Sequence, residues 1–305
     1  MTPDHASILA EFGLSRTHFL GEGGESVVYA LGQDLILRLP KVKAFDGQRR
    51  DRLKLFLEQI DGHFPFATPC IEQIGPNDTY TIERRLPGRP MAEWVKTLDD
   101  DRRDKAFRNY VAAVSELGAT ESPSAAYGHL LNKAPVKAND WRGFARESLS
   151  RFRGKNRVTI AKEVGDPYKL FDKAADMISE LPDTPPKALV HGDYFPGNVL
   201  LDDDLSVSAV LDFGIYTVVG DPQLDLAVSY LTLELIEECT ADDARFVREI
   251  IVEQHGPEIL PALRFYRAYL AFSMADPTNG VAPYPKLYGW SIAMLKLLAD
   301  GRLTA

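Results

Sequence analysis

Two carboxylates and one carboxamide stand out by their spacing among the polar residues of one short stretch of the chain, residues 188–225. Asp193 ends a His-Gly-Asp sequence, Asn198 comes five residues later, and Asp212 begins an Asp-Phe-Gly sequence. Carboxylate and amide oxygens are hard donors of the kind that Mg²⁺ binds, and Mg²⁺ takes its remaining ligands from water and phosphates. The stretch therefore indicates chemistry on a metal-bound phosphate.

The spacing of these residues matches the pattern that protein kinases use for phosphoryl transfer. There the Asp of H-x-D-x-x-x-x-N orients or deprotonates the attacking hydroxyl, while its Asn and the Asp of Asp-Phe-Gly hold Mg²⁺. By this pattern Asp193 is the candidate catalytic base, and Asn198 and Asp212 are the candidate metal ligands. A metallohydrolase that uses His191 with the two aspartates is an alternative, although it leaves the upstream features unused.

Short predicted strands position these side chains. Apolar runs at 188–190, 199–201 and 207–211 are bounded by turn residues, a pattern typical of strands. The first run leads into Asp193, and the last delivers Asp212. We therefore expect the three polar side chains to gather at one end of a small hairpin.

A glycine-rich turn near the start of the chain could bind phosphate. Gly23, Gly24 and Ser26 fall between two predicted strands, in the sequence GEGGES. Glycine allows backbone N–H groups to approach phosphate oxygens closely, and the serine hydroxyl could donate a further hydrogen bond. The turn is a candidate nucleotide-binding element.

Arg38 is the candidate cation for the nucleotide phosphates. It lies on the strand after the glycine-rich turn, where kinases carry the lysine that holds the α- and β-phosphates. A guanidinium keeps the charge and can bind phosphate through two N–H groups. We expect its acidic partner on the helix predicted over Arg49–Ile60, where Asp51 fits best by position and Glu58 is the other option.

Local patterns divide the chain into a strand-rich first part and a helical second part. Alternating β-formers and turn residues predict a β-meander over 17–41 and a further strand over 79–86, which Pro-Gly-Arg-Pro then breaks. Beyond the break, a helix is expected to begin at an acidic cap over 99–101 and to end at Gly118 as its C′ residue. Later helical patterns cover 223–238, 242–255, 259–274 and 285–299.

The composition is that of a soluble globular protein. The 305 residues carry a formal net charge of −9, which repels phosphate backbones and argues against nucleic acid as the main ligand. The first residues lack the pattern of a signal peptide, and no apolar run is long enough to span a membrane. Two widely separated cysteines, Cys70 and Cys239, suggest free thiols. We expect a cytoplasmic protein.

Longer motifs around the candidate residues resemble the aminoglycoside phosphotransferase family, antibiotic and small-molecule kinases that include macrolide and hygromycin phosphotransferases. The resemblance covers about residues 17–230 and is carried by FLGEGGESVVYAL, TIERRLPGRPM, HGDYFPGN, LDFG and GDPQLDLA. It implies an α+β, two-lobed protein-kinase-like fold. The β-rich nucleotide-binding lobe would cover 1–86, with a hinge at about 82–88, and a mainly helical catalytic lobe would cover 89–305.

The resemblance also implies roles for individual residues. The γ-phosphoryl group of ATP or GTP would pass to a hydroxyl of a small molecule with the help of Mg²⁺ and of Asp193 as the base. Backbone groups of Glu83 and Arg85 would bind the purine. Asp221 and Asp225 in GDPQLDLA would be structural, capping a helix or anchoring the catalytic loop.

The acceptor is left open by the sequence. Five carboxylates in residues 234–243 favour a polycationic aminoglycoside or related antibiotic, whereas aromatic residues in the C-terminal tail would suit a macrolide. Metabolic kinases of the choline, homoserine, fructosamine or methylthioribose type share these motifs. Arg38 in place of lysine also motivates a nucleotide-binding regulator without catalysis. Gly220 follows Asp212 too closely for the activation segment of a protein kinase.

Overall fold

The computed structural model describes residues 5–41, 49–120, 126–280 and 285–305. Its helices and strands are, in chain order, α1 (His5–Glu11), β1 (Phe19–Glu22), β2 (Ser26–Leu31), β3 (Leu35–Pro40), α2 (Arg49–Ile60), β4 (Ile71–Ile74), β5 (Thr81–Arg84), β6 (Arg89–Pro90), α3 (Met91–Trp94), α4 (Asp100–Ala119), β7 (Tyr127–His129), β8 (Lys137–Ala138), α5 (Trp141–Glu163), α6 (Pro167–Met177), β9 (Ala188–Val190), β10 (Val199–Leu201), β11 (Val207–Val210), β12 (Val218–Gly220), α7 (Gln223–Leu231), α8 (Ala241–His255), α9 (Leu260–Met274) and α10 (Pro285–Ala299).

The chain divides into two compact units. Unit 1 comprises residues 1–89 and 199–214, and unit 2 comprises residues 90–198 and 215–305. The sequence placed 199–214 in the C-terminal lobe, whereas in the structure this hairpin packs within unit 1. A short parallel bridge joins the hairpin to the rest of unit 1, and in it the backbone N–H of Val210 donates to the carbonyl of Ala67 at 3.0 Å.

A five-stranded antiparallel sheet forms the main part of unit 1, in the order β1-β2-β3-β5-β4. The predicted β-meander and the predicted helix over Arg49–Ile60 are both confirmed. Side chains alternate between the faces of a strand, so Leu37 and Leu39 of β3 are buried in an apolar cluster with Ile8 of α1. Arg38 lies between the two leucines and therefore belongs to the opposite face.

Helices dominate unit 2 and include the expected long amphipathic helix, α4. The Asp99 side chain caps it by accepting a hydrogen bond from the backbone N–H of Arg102 at 2.9 Å. Its apolar side chains, among them Phe107, Val111 and Leu117, are buried. The helix does not end at Gly118, as predicted, but continues to Ala119, and a Cβ at Gly118 would lie 2.7 Å from Cβ of Pro222. Glycine is thus required there by close packing, not by a cap.

The last four helices agree in number and place with the sequence patterns. The helix predicted over 223–238 is shorter than expected, because α7 ends at Leu231 and a single 3₁₀ turn follows it. Within the described ranges, no helix is long and apolar enough to cross a membrane. Cys70 and Cys239 are free thiols.

Candidate active site

Arg38 is the centre of a polar cluster on the face of the unit 1 sheet opposite Leu37 and Leu39. Its Nε lies 3.1 Å from Oε1 of Glu83, and its Nη1 lies 3.3 Å from Oδ1 of Asp212. The same Nη1 donates to Oγ of Ser26 at 3.2 Å. Burial lowers the pKa of the Arg38 guanidinium, but the charges of Glu83 and Asp212 more than offset this effect and raise it. Three predicted site residues, from the glycine-rich turn, β3 and the Asp-Phe-Gly sequence, therefore meet within unit 1.

The acidic partner of Arg38 is not on α2, so the prediction of Asp51 or Glu58 is wrong. The ion pairs of Arg38 among the described residues are with Glu83 and Asp212. Glu58 instead lies 3.5 Å from Nζ of Lys54, one turn away on the same helix. Sequence position along α2 could not reveal this, because the partner comes from a neighbouring strand of the sheet.

Asp212 has a left-handed backbone conformation, with φ of 57°. A residue with a Cβ is strained there, and such strain concentrates at functional sites. The turn sends neighbouring side chains in different directions: Phe213 is buried and lies 5.8 Å from the ring of Phe56, whereas 54% of the Asp212 side chain is exposed. The conformation thus presents the carboxylate to solvent and to Arg38.

The glycine-rich turn is an exposed hairpin between β1 and β2. The N–H of Gly23 donates to the carbonyl of Ser26 at 2.9 Å, and an ion pair of 3.1 Å joins Glu22 to Lys41. A Cβ on Gly23 or Gly24 would meet no atom within 4 Å, and neither residue has a positive φ. Because the protein's own packing does not require these glycines, close approach of a ligand is a physical reason for them.

The two residues expected to bind the purine lie at the end of β5. Glu83 of β5 pairs with Ile36 of β3 on one side and with Ile71 of β4 on the other. The backbone N–H of Arg85 donates to the carbonyl of Asp34 at 2.8 Å. The Arg85 N–H is therefore already engaged within unit 1, and the purine-binding roles of both residues stay predictions.

The loop that carries Asp193 and Asn198 belongs to unit 2 and is held together internally. Nδ2 of Asn198 donates to the carbonyl of Asp193 at 3.0 Å, which directs the amide nitrogen inward and leaves the amide oxygen as the group that could bind a cation. The N–H of Asp193 donates to Nδ1 of His191 at 3.2 Å. His191 is fully buried, as expected for a residue that braces the loop.

Asp225 anchors this loop from α7. Its carboxylate accepts hydrogen bonds from the backbone N–H groups of His191 at 2.5 Å and Gly192 at 2.8 Å. Burial raises the pKa of Asp225 to about 7, although the two N–H groups act to lower it. The structural role expected for Asp225 is confirmed.

Asp221 is held by Tyr266, which Trp141 contacts in turn, and the sequence did not reveal the role of either aromatic side chain. The Tyr266 hydroxyl donates to Oδ2 of Asp221 at 2.6 Å and accepts from Nε1 of Trp141 at 2.8 Å. Asp221 also caps α7, through the N–H of Gln223 at 3.0 Å. Burial raises the pKa of Asp221, although both hydrogen bonds act to lower it. All three side chains are buried, and the helical spacing of Tyr266 signalled only a core residue.

Asn198 and Asp212, the two predicted magnesium ligands, belong to different units and offer amide and carboxylate oxygens to a metal. Among the residues that the structure describes, no three His, Cys, Asp or Glu side chains group as a metal cluster. Mg²⁺ commonly takes only one or two protein oxygens and fills its octahedron with water and phosphate. The donor set therefore fits Mg²⁺ that is delivered with a nucleotide.

The acidic stretch over 234–243 is largely neutralised by cations of its own unit. Glu234 accepts two hydrogen bonds from Arg267, at 2.8 and 3.1 Å, and Asp243 accepts two of 2.7 Å from Arg103. Glu238 pairs with Lys96 and Asp242 with Arg245. Four of the five carboxylates thus have basic partners, so this stretch offers little free negative charge to a polycation.

The aromatic residues of the tail lie mostly in the core. Phe265, Tyr266 and Phe272 of α9 are each at most 1% exposed, so they do not line an open cleft. Trp290 of α10 is half-buried and donates from Nε1 to Glu234 at 2.7 Å. Tyr284, another of the tail's aromatic residues that would suit a macrolide, lies outside the described residues.

A family model and several solved structures match the chain. The model of the phosphotransferase enzyme family (APH) covers residues 18–269. A thermostable mutant of aminoglycoside phosphotransferase APH(4)-Ia, in a ternary complex with ADP and hygromycin B, aligns with a TM-score of 0.68 and 18% identity over 98% of each chain. No curated protein matches the sequence.

Two further solved structures extend the comparison. The GDP and kanamycin complex of APH(2")-IIia has a TM-score of 0.62 and 16% identity over 98% of both chains. Macrolide 2'-phosphotransferase MphH from Brachybacterium faecium, an apoenzyme, has a TM-score of 0.58 and 18% identity over 94% of this chain and 95% of its own. These likenesses show the fold, and the α+β, kinase-like fold class is confirmed.

Proposed function

The chain belongs to the phosphotransferase enzyme family, and on that premise we propose that it transfers the γ-phosphoryl group of ATP or GTP to a hydroxyl of a small molecule. The observation that carries this proposal is the meeting of Ser26, Arg38 and Asp212 in unit 1. They come from three separate segments, and each has a distinct role at a nucleotide in the kinase pattern.

Unit 1 would supply the groups that bind the phosphates. The backbone N–H of Gly24 and the Ser26 hydroxyl would donate to phosphate oxygens, Gly23 would leave room for the phosphates, and Arg38 would neutralise charge that develops on them. Asp212 would serve as a metal ligand, the role predicted also for Asn198. Mg²⁺, when bound with the nucleotide, stabilises the negative charge of the transferred group.

Asp193 of unit 2 would act on the acceptor. A carboxylate at this position can accept a hydrogen bond from the attacking hydroxyl and orient it, and can take up its proton as the new P–O bond forms. Asp225 keeps the loop in place by accepting hydrogen bonds from the two residues before Asp193. Positioning of this kind supplies much of the rate enhancement in phosphoryl transfer.

An antibiotic of the aminoglycoside class is the acceptor that we propose to test first. It is supported by the hygromycin B and kanamycin bound to structures of the same fold. The paired carboxylates over 234–243 do not add to that support, so another part of unit 2 would have to attract a polycation. A macrolide, or a metabolic alcohol such as choline or homoserine, is the alternative.

The reaction is tested by measuring ADP and GDP release with Mg²⁺ over a panel of aminoglycosides, hygromycin B, macrolides, sugars and amino alcohols. Turnover with one class identifies the donor and the acceptor together. Asp193→Ala and Asp212→Ala should each abolish transfer, whereas Asp203→Ala, on the exposed turn after β10, should leave it unchanged. Near wild-type turnover in either of the first two variants would contradict the assignment. Nucleotide binding without turnover on any acceptor would favour a regulator.

A further inference from the structure

The register of the unit 1 sheet brings four polar side chains to one face. Arg38 of β3 lies directly opposite Thr81 of β5 on one side and Val28 of β2 on the other. Side chains two positions apart on a strand share a face, and diagonal neighbours across strands are within reach of long side chains. Glu83, two residues after Thr81, and Ser26, two residues before Val28, therefore share the face of Arg38.

Glu83 contacts one edge of the Arg38 guanidinium with both carboxylate oxygens. Nε of Arg38 is 3.1 Å from Oε1 and 3.2 Å from Oε2. The buried hydroxyl of Thr81 donates to Oε1 at 2.6 Å and so orients the carboxylate. Only 8% of the Glu83 side chain is exposed, and an ion pair with so little water around it is held more firmly than one on the surface.

The contact at Nε decides where the other end of the guanidinium points. The group is planar and rigid, so fixing its Nε edge also fixes the direction of its terminal N–H groups. With Glu83 at Nε, Nη1 points to Ser26 and Asp212. These are the residues assigned above to phosphate and metal, so Glu83 directs a cation at the place where the nucleotide phosphates would lie.

We propose that Glu83 is the residue that positions Arg38 for nucleotide binding, in the role for which the kinase pattern uses an acid on the following helix. This inference rests on the proposed function. It assigns to the Glu83 side chain a task separate from the purine contact expected of its backbone. It also predicts that the effect of Glu83 on nucleotide binding depends on Arg38.

The test is a double-mutant cycle on nucleotide affinity, measured by calorimetry with ADP and GDP in the presence of Mg²⁺ and without an acceptor. Glu83→Gln keeps the shape of the side chain but removes its charge, and should weaken nucleotide binding about tenfold. In an Arg38→Met background the same change should alter affinity less than about twofold, because its partner is gone. Glu72→Gln, on the exposed face of β4, is the matched control and should change nothing.

Each outcome decides the inference. Equal losses in both backgrounds, or no loss from Glu83→Gln, would show that Glu83 does not act through Arg38. If Glu83→Gln does not fold, Thr81→Val takes its place, since it removes only the hydroxyl that orients the carboxylate and should weaken binding about threefold. A wild-type protein that binds neither nucleotide overturns the proposed function, and this inference with it. Wild-type binding that Glu83→Gln and Thr81→Val leave intact overturns this inference alone.

Discussion

Replacing Tyr266 with phenylalanine tests whether the buried chain of hydrogen bonds from Trp141 to Asp221 stabilises unit 2. The hydroxyl donates to the Asp221 carboxylate at 2.6 Å and accepts from Nε1 of Trp141 at 2.8 Å. A hydrogen bond to a charged group contributes about 1.5–3 kcal/mol, and a buried donor left without a partner costs about 1–3 kcal/mol. Since the two groups can relax after the change, we expect a loss of about 2–4 kcal/mol in the free energy of unfolding.

Urea denaturation of Tyr266→Phe, compared with Tyr127→Phe, measures this loss. Tyr127 is equally buried, but its hydroxyl donates only to the carbonyl of Pro185, at 2.6 Å. Removing a single neutral hydrogen bond should cost about 1 kcal/mol. The difference between the two variants therefore isolates the contribution of Asp221 and Trp141.

The pH dependence gives a second, independent readout. Burial raises the pKa of Asp221, and the Tyr266 hydrogen bond acts to lower it by favouring the charged form. The bond is stronger to the carboxylate than to the protonated acid, so the cost of Tyr266→Phe should shrink as the pH falls through the pKa of Asp221 in the folded protein. A cost no larger than that of Tyr127→Phe, at every pH, would refute the reasoning.

Three further predictions concern pH and packing. The pKa of Asp225 is raised to about 7 in the folded protein and is about 3.9 in an unfolded chain. Between those values only the folded state holds this proton. The wild type should therefore lose up to about 4 kcal/mol of stability relative to Asp225→Asn as the pH rises from about 4 to 7. A difference in unfolding free energy between the two proteins that does not change with pH would contradict this. Gly118→Ala should destabilise the protein by about 1–2 kcal/mol despite alanine's higher helix propensity, since its Cβ would lie 2.7 Å from Pro222. In α5, a Cβ at Gly154 would meet no atom within 4 Å, so Gly154→Ala should instead stabilise the protein by about 0.5–1 kcal/mol. Thermal melts of both glycine variants measure these changes.

Local features of the sequence were sufficient for the types of the elements named in the sequence analysis, and they also suggested the candidate catalytic residues, whose roles stay predictions. Helix and strand periodicity reflects which side of an element is buried, so the helix over Arg49–Ile60 and the β-meander were predicted correctly. The spacing of Asp193 and Asn198 lies within one loop, where chain geometry alone limits their separation. The internal hydrogen bond of 3.0 Å between these two residues agrees with that expectation.

Contacts between distant segments were decided only by the tertiary structure. The partner of Arg38 depends on the register of β3 against β5, and Glu83 is separated from it by 45 positions. The sequence around Gly118 does not indicate that Pro222 lies next to it. That contact arises because α4 and the start of α7 pack closely. In each case the residue type was compatible with several neighbours, and packing selected one.

The charge of a segment shows the same division between sequence and structure. Five carboxylates within residues 234–243 make the stretch acidic in the sequence, but the fold brings Arg103 and Arg267 against two of them. Sequence composition determines how much charge a protein carries. Only the folded chain determines which of those charges are paired, because Coulomb attraction depends on distances that are set by packing.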